Sequence, residues 1–164
     1  MKNTKTLENL QTGLAMELTA AHQYQLHAAV LADWGMDLLA GKMAEEMTEE
    51  LGHSDAFLNR IMFLKGTPNM VLQKSPVLAT TLHEMFATDA ADEREAINFY
   101  TAAAATATVE GDVGSRTIFE RILLNEEEHL AWLELQLDLL KKLGEPVYIA
   151  KHLSSLSPAS GVEA

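Results

Sequence analysis

Two long proline-free stretches restrict the fold of this chain more than any other feature of its sequence. No proline occurs between residues 4 and 65 or between residues 77 and 145. Both stretches are rich in Leu, Ala, Met and Glu, which favour helix. Neither shows the sustained alternation of apolar and polar residues that is typical of a half-buried strand. The sequence therefore predicts an all-α protein.

Glycine-containing turns divide each stretch into two helices. Gly35 and Gly111 stand where a left-handed glycine often follows a helix, and Thr81 with Glu84 has the spacing of a capping box. The sequence predicts helices over about 4–34, 36–65, 81–110 and 114–143, and a short fifth helix between Pro146 and Leu156.

The connections between these helices predict how they are arranged. The first and second helices are joined by a short turn, as are the third and fourth, so each pair is expected to form an antiparallel hairpin. The connection between the second and third helices, GTPNMVLQKSPVLAT, is about fifteen residues long. It could be a linker between two separate hairpins, but a structureless connection of that length is uncommon in a compact domain. We favour a connection that crosses the length of a four-helix bundle.

Composition excludes several classes of protein. The chain has 164 residues, the size of one domain, and no cysteine, which excludes disulfide scaffolds, zinc ribbons and cysteine-held iron–sulfur clusters. Its formal net charge of −12 argues against nucleic-acid binding. No apolar run approaches the ~20 residues that span a bilayer, and the start, MKNTKTLENLQ, lacks the apolar segment of a secretory signal. We therefore expect a cytoplasmic protein without a membrane partner.

Each of the four long helices carries a glutamate near the middle of an otherwise apolar stripe. The stripes are traced by alternating steps of three and four residues, and the four glutamates are Glu17, Glu50, Glu93 and Glu126. At about 1.5 Å per residue, the two glutamates of each hairpin lie at similar heights above the turn that joins their helices. The four carboxylates are therefore expected to meet inside the bundle.

Two histidines add to this pattern. His53 and His129 each follow a stripe glutamate, Glu50 and Glu126, by three residues. Residues three apart share one face of a helix, so each Glu-x-x-His pair can bind one object. A glutamate on the first and third helices with Glu-x-x-His on the second and fourth is the pattern of di-iron carboxylate proteins built on a helical bundle.

Charge supports a metal site at this position. Four buried carboxylates without partners would be costly or would remain protonated, and the stripes contain no Lys or Arg. Two divalent cations would balance four carboxylates. Oxygen and imidazole ligands without thiolates suit iron or manganese.

The alternative interpretation is that these glutamates are ordinary surface residues. We assign that role to five other glutamates, Glu45, Glu46, Glu49, Glu127 and Glu128. Glu49 also lies four residues before His53, so it is a possible substitute for Glu50, although it would break the stripe. Four further histidines are expected to be surface residues or to be hydrogen-bonded internally: His22, His27, His83 and His152.

Several segments make the chain resemble the bacterioferritins. They are AMELTAAHQYQLHA around Glu17, EELGHSDAFLNRIMFLKGTPN around Glu50 and LLNEEEHLAWLELQLDLLKKLG around Glu126. The resemblance implies a ferritin-like four-helix bundle with a long crossover and a short fifth helix over residues 1–156, followed by a flexible tail, 157–164. It also implies subunits packed into a hollow octahedral cage that stores ferric mineral.

The same resemblance implies a role for each of the six residues. Glu17 and Glu93 would be terminal ligands, Glu50 and Glu126 would bridge, and His53 and His129 would cap the two irons of each subunit. Ferrous iron would be oxidised there by dioxygen or peroxide. Tyr24 matches a tyrosine that the family has near this site, where it is a core aromatic residue or an electron-transfer group.

The chain departs from the family where the haem ligand is expected. Bacterioferritins bind haem b between two subunits through a methionine directly after the second-helix glutamate, and here that residue is Leu51. Leucine cannot ligate iron, so we do not expect this chain alone to bind haem. A mixed cage with a second, haem-binding subunit would suit this sequence. Glu45 and Glu49 occupy positions where members of the family bind extra iron on the inner wall, and Glu45 replaces a histidine.

Two other functions compete with iron oxidation and storage. One is a di-iron oxygenase, peroxidase or manganese catalase on the same bundle, against which the chain shows no insertion sized for a substrate. The other is a structural shell subunit of a mixed cage, against which the complete set of six ligands argues.

Overall fold

The computed structural model describes residues 4–153, and within that range it consists of five α-helices joined by turns and one long connection. They are α1 (Thr4–Asp33), α2 (Asp37–Phe63), α3 (Leu82–Val109), α4 (Val113–Leu143) and α5 (Glu145–His152). The all-α prediction is confirmed. The tail predicted over 157–164 lies outside the described residues.

The predicted turns lie between the helices as expected, with one difference in detail. Gly35 and Gly111 have positive φ angles of 80° and 74°, which glycine adopts without steric cost. Thr81 accepts a hydrogen bond from the Glu84 N–H at 3.1 Å, as a capping box requires. The Glu84 carboxylate, however, accepts from the N–H of Thr80 at 2.9 Å, so the reciprocal bond lies one residue earlier than predicted.

The long connection between α2 and α3 runs along α1. Gln11 donates to the Thr67 carbonyl oxygen at 2.8 Å, and Gln23, twelve residues further along α1, accepts from the Val77 N–H at 2.8 Å. Between them the Gln73 N–H donates to Thr19 Oγ1 at 2.8 Å. The connection therefore crosses the length of the bundle.

Two apolar clusters fill the bundle on either side of a polar layer. On α1, Leu10 and Leu14 belong to one cluster and Leu31 to the other, and Glu17 lies between these positions in the chain. On α4, Phe119 and Leu133 flank Glu126 in the same way. The predicted glutamates therefore lie at the junction of two hydrophobic cores. None of the helices described here is long and apolar enough to cross a membrane.

Candidate di-metal centre

The structure brings all six predicted site residues together in the polar layer. Each is buried, and they form two overlapping groups in which the potential ligand atoms lie within 4.8 Å of one another. Both groups contain Glu50 and Glu126. The first group adds Glu17 and His53, and the second adds Glu93 and His129.

His53 marks the centre of the first group. Its Nδ1 lies 3.2 Å from Glu17 Oε2, 3.0 Å from Glu50 Oε2 and 3.0 Å from Glu126 Oε1. A single ring nitrogen can donate only one proton, so it cannot satisfy three carboxylate oxygens at once. Three oxygens and one nitrogen that converge in this way resemble the ligand shell of a cation.

His129 marks the second group in the same manner. Its Nδ1 lies 3.1 Å from Glu50 Oε1 and 3.3 Å from Glu126 Oε2, with Glu93 Oε1 at 3.5 Å. Glu50 and Glu126 therefore each present one oxygen to His53 and the other to His129. This is the arrangement expected of two carboxylates that bridge a pair of cations.

Several of these atoms lack a hydrogen-bond partner of acceptable geometry within residues 4–153. They include Glu50 Oε1, Glu126 Oε1 and His129 Nδ1, all of which are buried. Unpaired buried polar atoms are costly, and their clustering needs an explanation. The donor set, four carboxylates and two imidazoles without sulfur, fits two hard or borderline divalent cations such as iron or manganese.

Electrostatics separates the four glutamates into two pairs. Burial raises the pKa of Glu17 well above its ordinary value, with Glu50 and Glu126 adding repulsion, and burial likewise raises the pKa of Glu93. For Glu126, burial opposes ionisation, but the nearby imidazoles of His129 and His53 outweigh it and lower the pKa to about 2. The pKa of Glu50 is also lowered.

The histidines retain protons in the absence of cations. Burial acts to lower the pKa of His53, but the close carboxylates of Glu126, Glu17 and Glu50 raise it to about 12. The pKa of His129 is raised by the same kind of contacts. Cations that bind here must displace these protons, because only a deprotonated imidazole nitrogen ligates a metal.

Two buried tyrosines donate to Glu17 and Glu93, the two glutamates that belong to only one ligand group each. The Tyr24 hydroxyl donates to Glu93 Oε1, and the Tyr100 hydroxyl donates to Glu17 Oε1. Tyr100 was not among the predicted site residues. A signal was present in the sequence, because the spacing of seven residues from Glu17 to Tyr24 recurs from Glu93 to Tyr100.

The prediction that Glu46 is a surface residue is wrong. Glu46 is only 3% exposed, and its Oε2 lies 2.7 Å from His129 Nε2. Its other oxygen is paired with Lys42 one turn earlier. From Met43, a step of four residues leads to Met47 and a step of three leads to Glu46, so the periodicity allowed either residue on the buried face.

The other glutamates on the outer face of α2 and α4 agree better with prediction. Glu45, Glu127 and Glu128 are exposed, and Glu49 is 41% exposed. Glu49 Oε2 nevertheless lies 3.3 Å from His129 Nε2 and forms a third potential ligand group with Glu46 and His129.

His27 is one of the histidines predicted to be satisfied internally, and it is fully buried. Its Nδ1 lies 2.9 Å from Asp89 Oδ2, and its Nε2 lies 2.9 Å from Gln23. The Gln23 amide also donates to the Val77 carbonyl oxygen and accepts from the Val77 N–H, so this network joins the long connection to α1 and α3. His22 and His83 are exposed, and His152 is partly buried.

A narrow cavity lies beside the centre under the long connection. It has a volume of about 30 Å³. Its lining includes all four glutamates of the centre, Glu17, Glu50, Glu93 and Glu126. On its other side are Lys74, Asp92 and Glu95, and the Lys74 ammonium lies 2.5 Å from Asp92. The space suits water or a small cation rather than an organic substrate.

Comparison with known proteins gives a consistent family signal. Residues 7–143 match the model of the ferritin-like domain. The chain is 38% identical over 144 residues to the bacterioferritin of Brucella melitensis biotype 1, covering 88% of this chain and 89% of that one. It is 37% identical over 142 residues to the bacterioferritin of Rhodobacter capsulatus, covering 87% and 88% respectively.

Solved structures agree with the sequence matches. The R. capsulatus bacterioferritin structure superposes with a TM-score of 0.92 at 34% identity, covering 97% of this chain and all of that one. That structure is described as having a metal-free dinuclear site and a haem iron in a crystallographic special position. The Mycobacterium tuberculosis bacterioferritin BfrA superposes with a TM-score of 0.90 at 35% identity, covering 93% of this chain and 96% of that one.

Proposed function

The chain belongs to the bacterioferritins, iron-storage proteins of the ferritin-like family, and from this premise we propose that its six-residue cluster is a ferroxidase centre. In this proposal each subunit binds two ferrous ions and oxidises them with dioxygen or peroxide. The ferric product is then stored as mineral inside a hollow cage.

One observation carries the proposal more than any other. Glu50 and Glu126 each direct one oxygen towards His53 and the other towards His129, so two cation positions share two carboxylates. A single-cation site would not need this division. Two bridged ions suit a reaction in which an oxidant takes an electron from each of two ferrous ions.

Each ligand has a distinct task in this scheme. Glu17 and Glu93 are proposed to bind one ion each, Glu50 and Glu126 to bridge, and His53 and His129 to bind through Nδ1. Four carboxylates neutralise the charge of two ferrous ions, and oxidation to ferric iron leaves an excess positive charge. Iron and its oxidant supply the redox chemistry, whereas the protein supplies ligand geometry and charge.

The surface of the chain supports assembly. Large apolar side chains are exposed on the isolated subunit, among them Leu38 at 63%, Phe63 at 68% and Leu78 at 63%. Exposed apolar area of this kind commonly marks protein interfaces. We propose that these surfaces are buried between subunits of the cage.

Haem does not fit the residue at the expected ligand position. Leu51 is 41% exposed on α2, and its hydrocarbon side chain has no lone pair with which to ligate iron. Met47, one turn earlier, packs partly buried against an apolar cluster. We therefore propose that a cage made only of this chain lacks the haem of the family, and that a mixed cage would obtain it from a second subunit.

Stopped-flow absorbance tests the ferroxidase assignment. Metal-free protein is mixed with two ferrous ions per subunit and dioxygen or peroxide, and the formation of ferric iron is followed. Glu17→Ala and Glu126→Ala should each abolish the rapid phase while elution as a large particle persists, because both residues serve metal rather than packing. Glu127→Ala, at an exposed neighbouring position, is the matched control. Rapid oxidation in both site variants would refute the assignment.

A further inference from the structure

Tyr100 has a relation to the centre that mirrors that of Tyr24. Glu17 and Tyr24 lie on α1, seven residues apart, and Glu93 and Tyr100 lie on α3 with the same spacing. Each tyrosine donates to the glutamate of the other helix, Tyr24 to Glu93 and Tyr100 to Glu17. Glu17 pairs with Tyr100 and Tyr24 pairs with Glu93, so α1 and α3 run antiparallel. Each of the two helices supplies one glutamate and one tyrosine.

The environment of Tyr100 fixes the position of its hydroxyl. Its ring is fully buried and packs against Phe57 and Phe99 with centroids 5.6 Å apart, and against Phe119 at 6.1 Å. Burial and the nearby glutamates raise its pKa well above the ordinary value, so the hydroxyl keeps its proton. A neutral phenol held among buried aromatic rings remains a hydrogen-bond donor.

The two oxygens of Glu17 have different partners. Oε1 accepts the phenol proton, and Oε2 lies 3.2 Å from His53 Nδ1, within the first ligand group. Without the phenol, the carboxylate could rotate about its terminal bond, which has only a weak preference. Groups that orient a ligand from outside the metal shell commonly contribute about 10–100-fold to metal affinity.

Building on the proposed di-metal centre, we propose that Tyr100 is a positioning residue for the cation bound by Glu17 and His53, as Tyr24 is for the cation bound by Glu93 and His129. The bridging glutamates receive no such phenol bond and are instead oriented by the two histidines. Each cation position would thus have its own tyrosine. Tyr100 of α3 would orient Glu17 of α1, and Tyr24 of α1 would orient Glu93 of α3.

Binding of Co²⁺ at each position separately tests this proposal. Co²⁺ is not oxidised by dioxygen in this setting, and its visible absorbance reports its ligands. His129→Ala leaves the cation position of Glu17 and His53, and His53→Ala leaves the position of Glu93 and His129. Tyr100→Phe should weaken Co²⁺ binding about 10–100-fold in the His129→Ala protein and leave it unchanged in the His53→Ala protein. Tyr24→Phe should give the reverse.

Tyr148→Phe is the matched control, because Tyr148 is also buried and donates to Gln136 at 2.8 Å, but takes no part in either ligand group. It should weaken neither cation position. Melting curves of all variants establish that they are folded. If a single-site protein binds no Co²⁺, Tyr100→Phe in the wild-type background should weaken one of two binding steps and spare the other.

The possible failures are distinguishable. Wild-type protein that binds fewer than two Co²⁺ ions per subunit would overturn the proposed di-metal function, and this inference with it. Two bound ions in the wild type, with Tyr100→Phe affecting neither position or both equally, would overturn the positioning role alone.

Discussion

The four glutamates of the centre differ in what surrounds them, although the sequence presents them alike. Glu17 and Glu93 each accept from a phenol, and burial raises the pKa of both. Glu50 and Glu126 face both histidines, and their pKa values are lowered. In the metal-free protein, protons are therefore expected on the terminal glutamates and histidines, and bound cations would replace them.

Glu17→Gln should stabilise the metal-free protein at neutral pH. The amide mimics the protonated acid and can still accept from Tyr100, and it removes the free-energy cost of protonating the Glu17 carboxylate on folding at neutral pH. The melting temperature should rise by several degrees, since about 1 kcal/mol shifts it by about 2–4 °C in a chain of this size. Calorimetry with and without a redox-inert divalent cation checks this, and the cation should stabilise the variant less than the wild type.

The pH dependence of this effect follows from the raised pKa of Glu17. A raised folded-state pKa means that Glu17 contributes stability below its ordinary value of 4.5 and loses that contribution as pH rises through the folded value. The advantage of glutamine should therefore be largest at neutral pH and disappear below about pH 4.5. An advantage that grows in acid would contradict the assigned direction. Glu127→Gln, at an exposed position, should show no such profile.

Glu46→Ala should weaken binding of the cation next to His129. Glu46 Oε2 lies 2.7 Å from His129 Nε2, the nitrogen that faces away from the centre, and its negative charge is expected to restrain the ring from outside the metal shell. The expected loss of affinity is about 10–100-fold, measured by Co²⁺ titration of the His53→Ala protein. Glu45→Ala, its exposed neighbour, is the control. Equal affinity in the two variants would show that Glu46 does not position His129.

For individual side chains, sequence periodicity predicted the glutamates that lie on the stripes but not their polar partners. Glu46 was missed because Met47 is apolar and fits the same stripe. The burial of Glu46 also depends on two partners that periodicity does not reveal, His129 on α4 and Lys42 one turn earlier on α2. Tyr100 lies seven residues after Glu93, a spacing that places both on one face of α3. Its bond to Glu17 depends on the antiparallel packing of α1 and α3, which local spacing does not specify.

Among the helices, the start of α4 is fixed by a buried polar cluster. Asp112 caps the helix by accepting from the Ser115 N–H at 2.9 Å, and it lies 2.5 Å from Arg60 of α2. Burial acts to raise the pKa of Asp112, but hydrogen bonds from Ser115 and Arg60 outweigh it and lower the pKa. The cluster joins the ends of two helices that belong to different hairpins.

Asp112→Ala should destabilise the protein by about 1–2 kcal/mol, the usual cost of losing such a cap. Asp112→Asn keeps an oxygen that can accept from Ser115 but loses the charge opposite Arg60, so it should cost less. Urea unfolding of the metal-free proteins measures both. Equal losses in the two variants would indicate that the ion pair, rather than the cap, is the stabilising contact.

Helix positions were predictable because the signals that end a helix are local. The predicted bounds of the four long helices lie within two residues of the observed ones. Proline, glycine and capping residues start or end a helix through contacts within one helical turn, so their effect can be read from the local sequence. The glycine between α4 and α5, Gly144, was not predicted as a turn although its φ is 75°. The path of the long connection was one of two alternatives, and the contacts of Gln23 and Thr19 with it decide between them.

For the whole assembly, we predict a cage without haem. Purified protein made only of this chain should show no low-spin haem absorbance, because Leu51 lacks the thioether of a methionine. Leu51→Met should create haem binding at the interface of two subunits, since leucine and methionine exchange at little cost in packing. Reconstitution should then give one haem per subunit pair, read from the Soret band.

Two results would change this view of haem. Stoichiometric low-spin haem in the unaltered homomer would mean that another residue supplies the axial ligand. Haem that appears only when a methionine-bearing subunit is co-expressed would instead support the mixed cage, with this chain as the subunit that lacks the haem ligand.

Crystals soaked anaerobically in ferrous iron can be measured by anomalous diffraction at the iron edge. The measurement shows whether two irons bind side by side within one subunit. We expect two iron peaks in each subunit, one beside Glu17 and His53 and the other beside Glu93 and His129, with Glu50 and Glu126 contacting both. A single peak, or two peaks that do not share these two glutamates, would contradict this expectation.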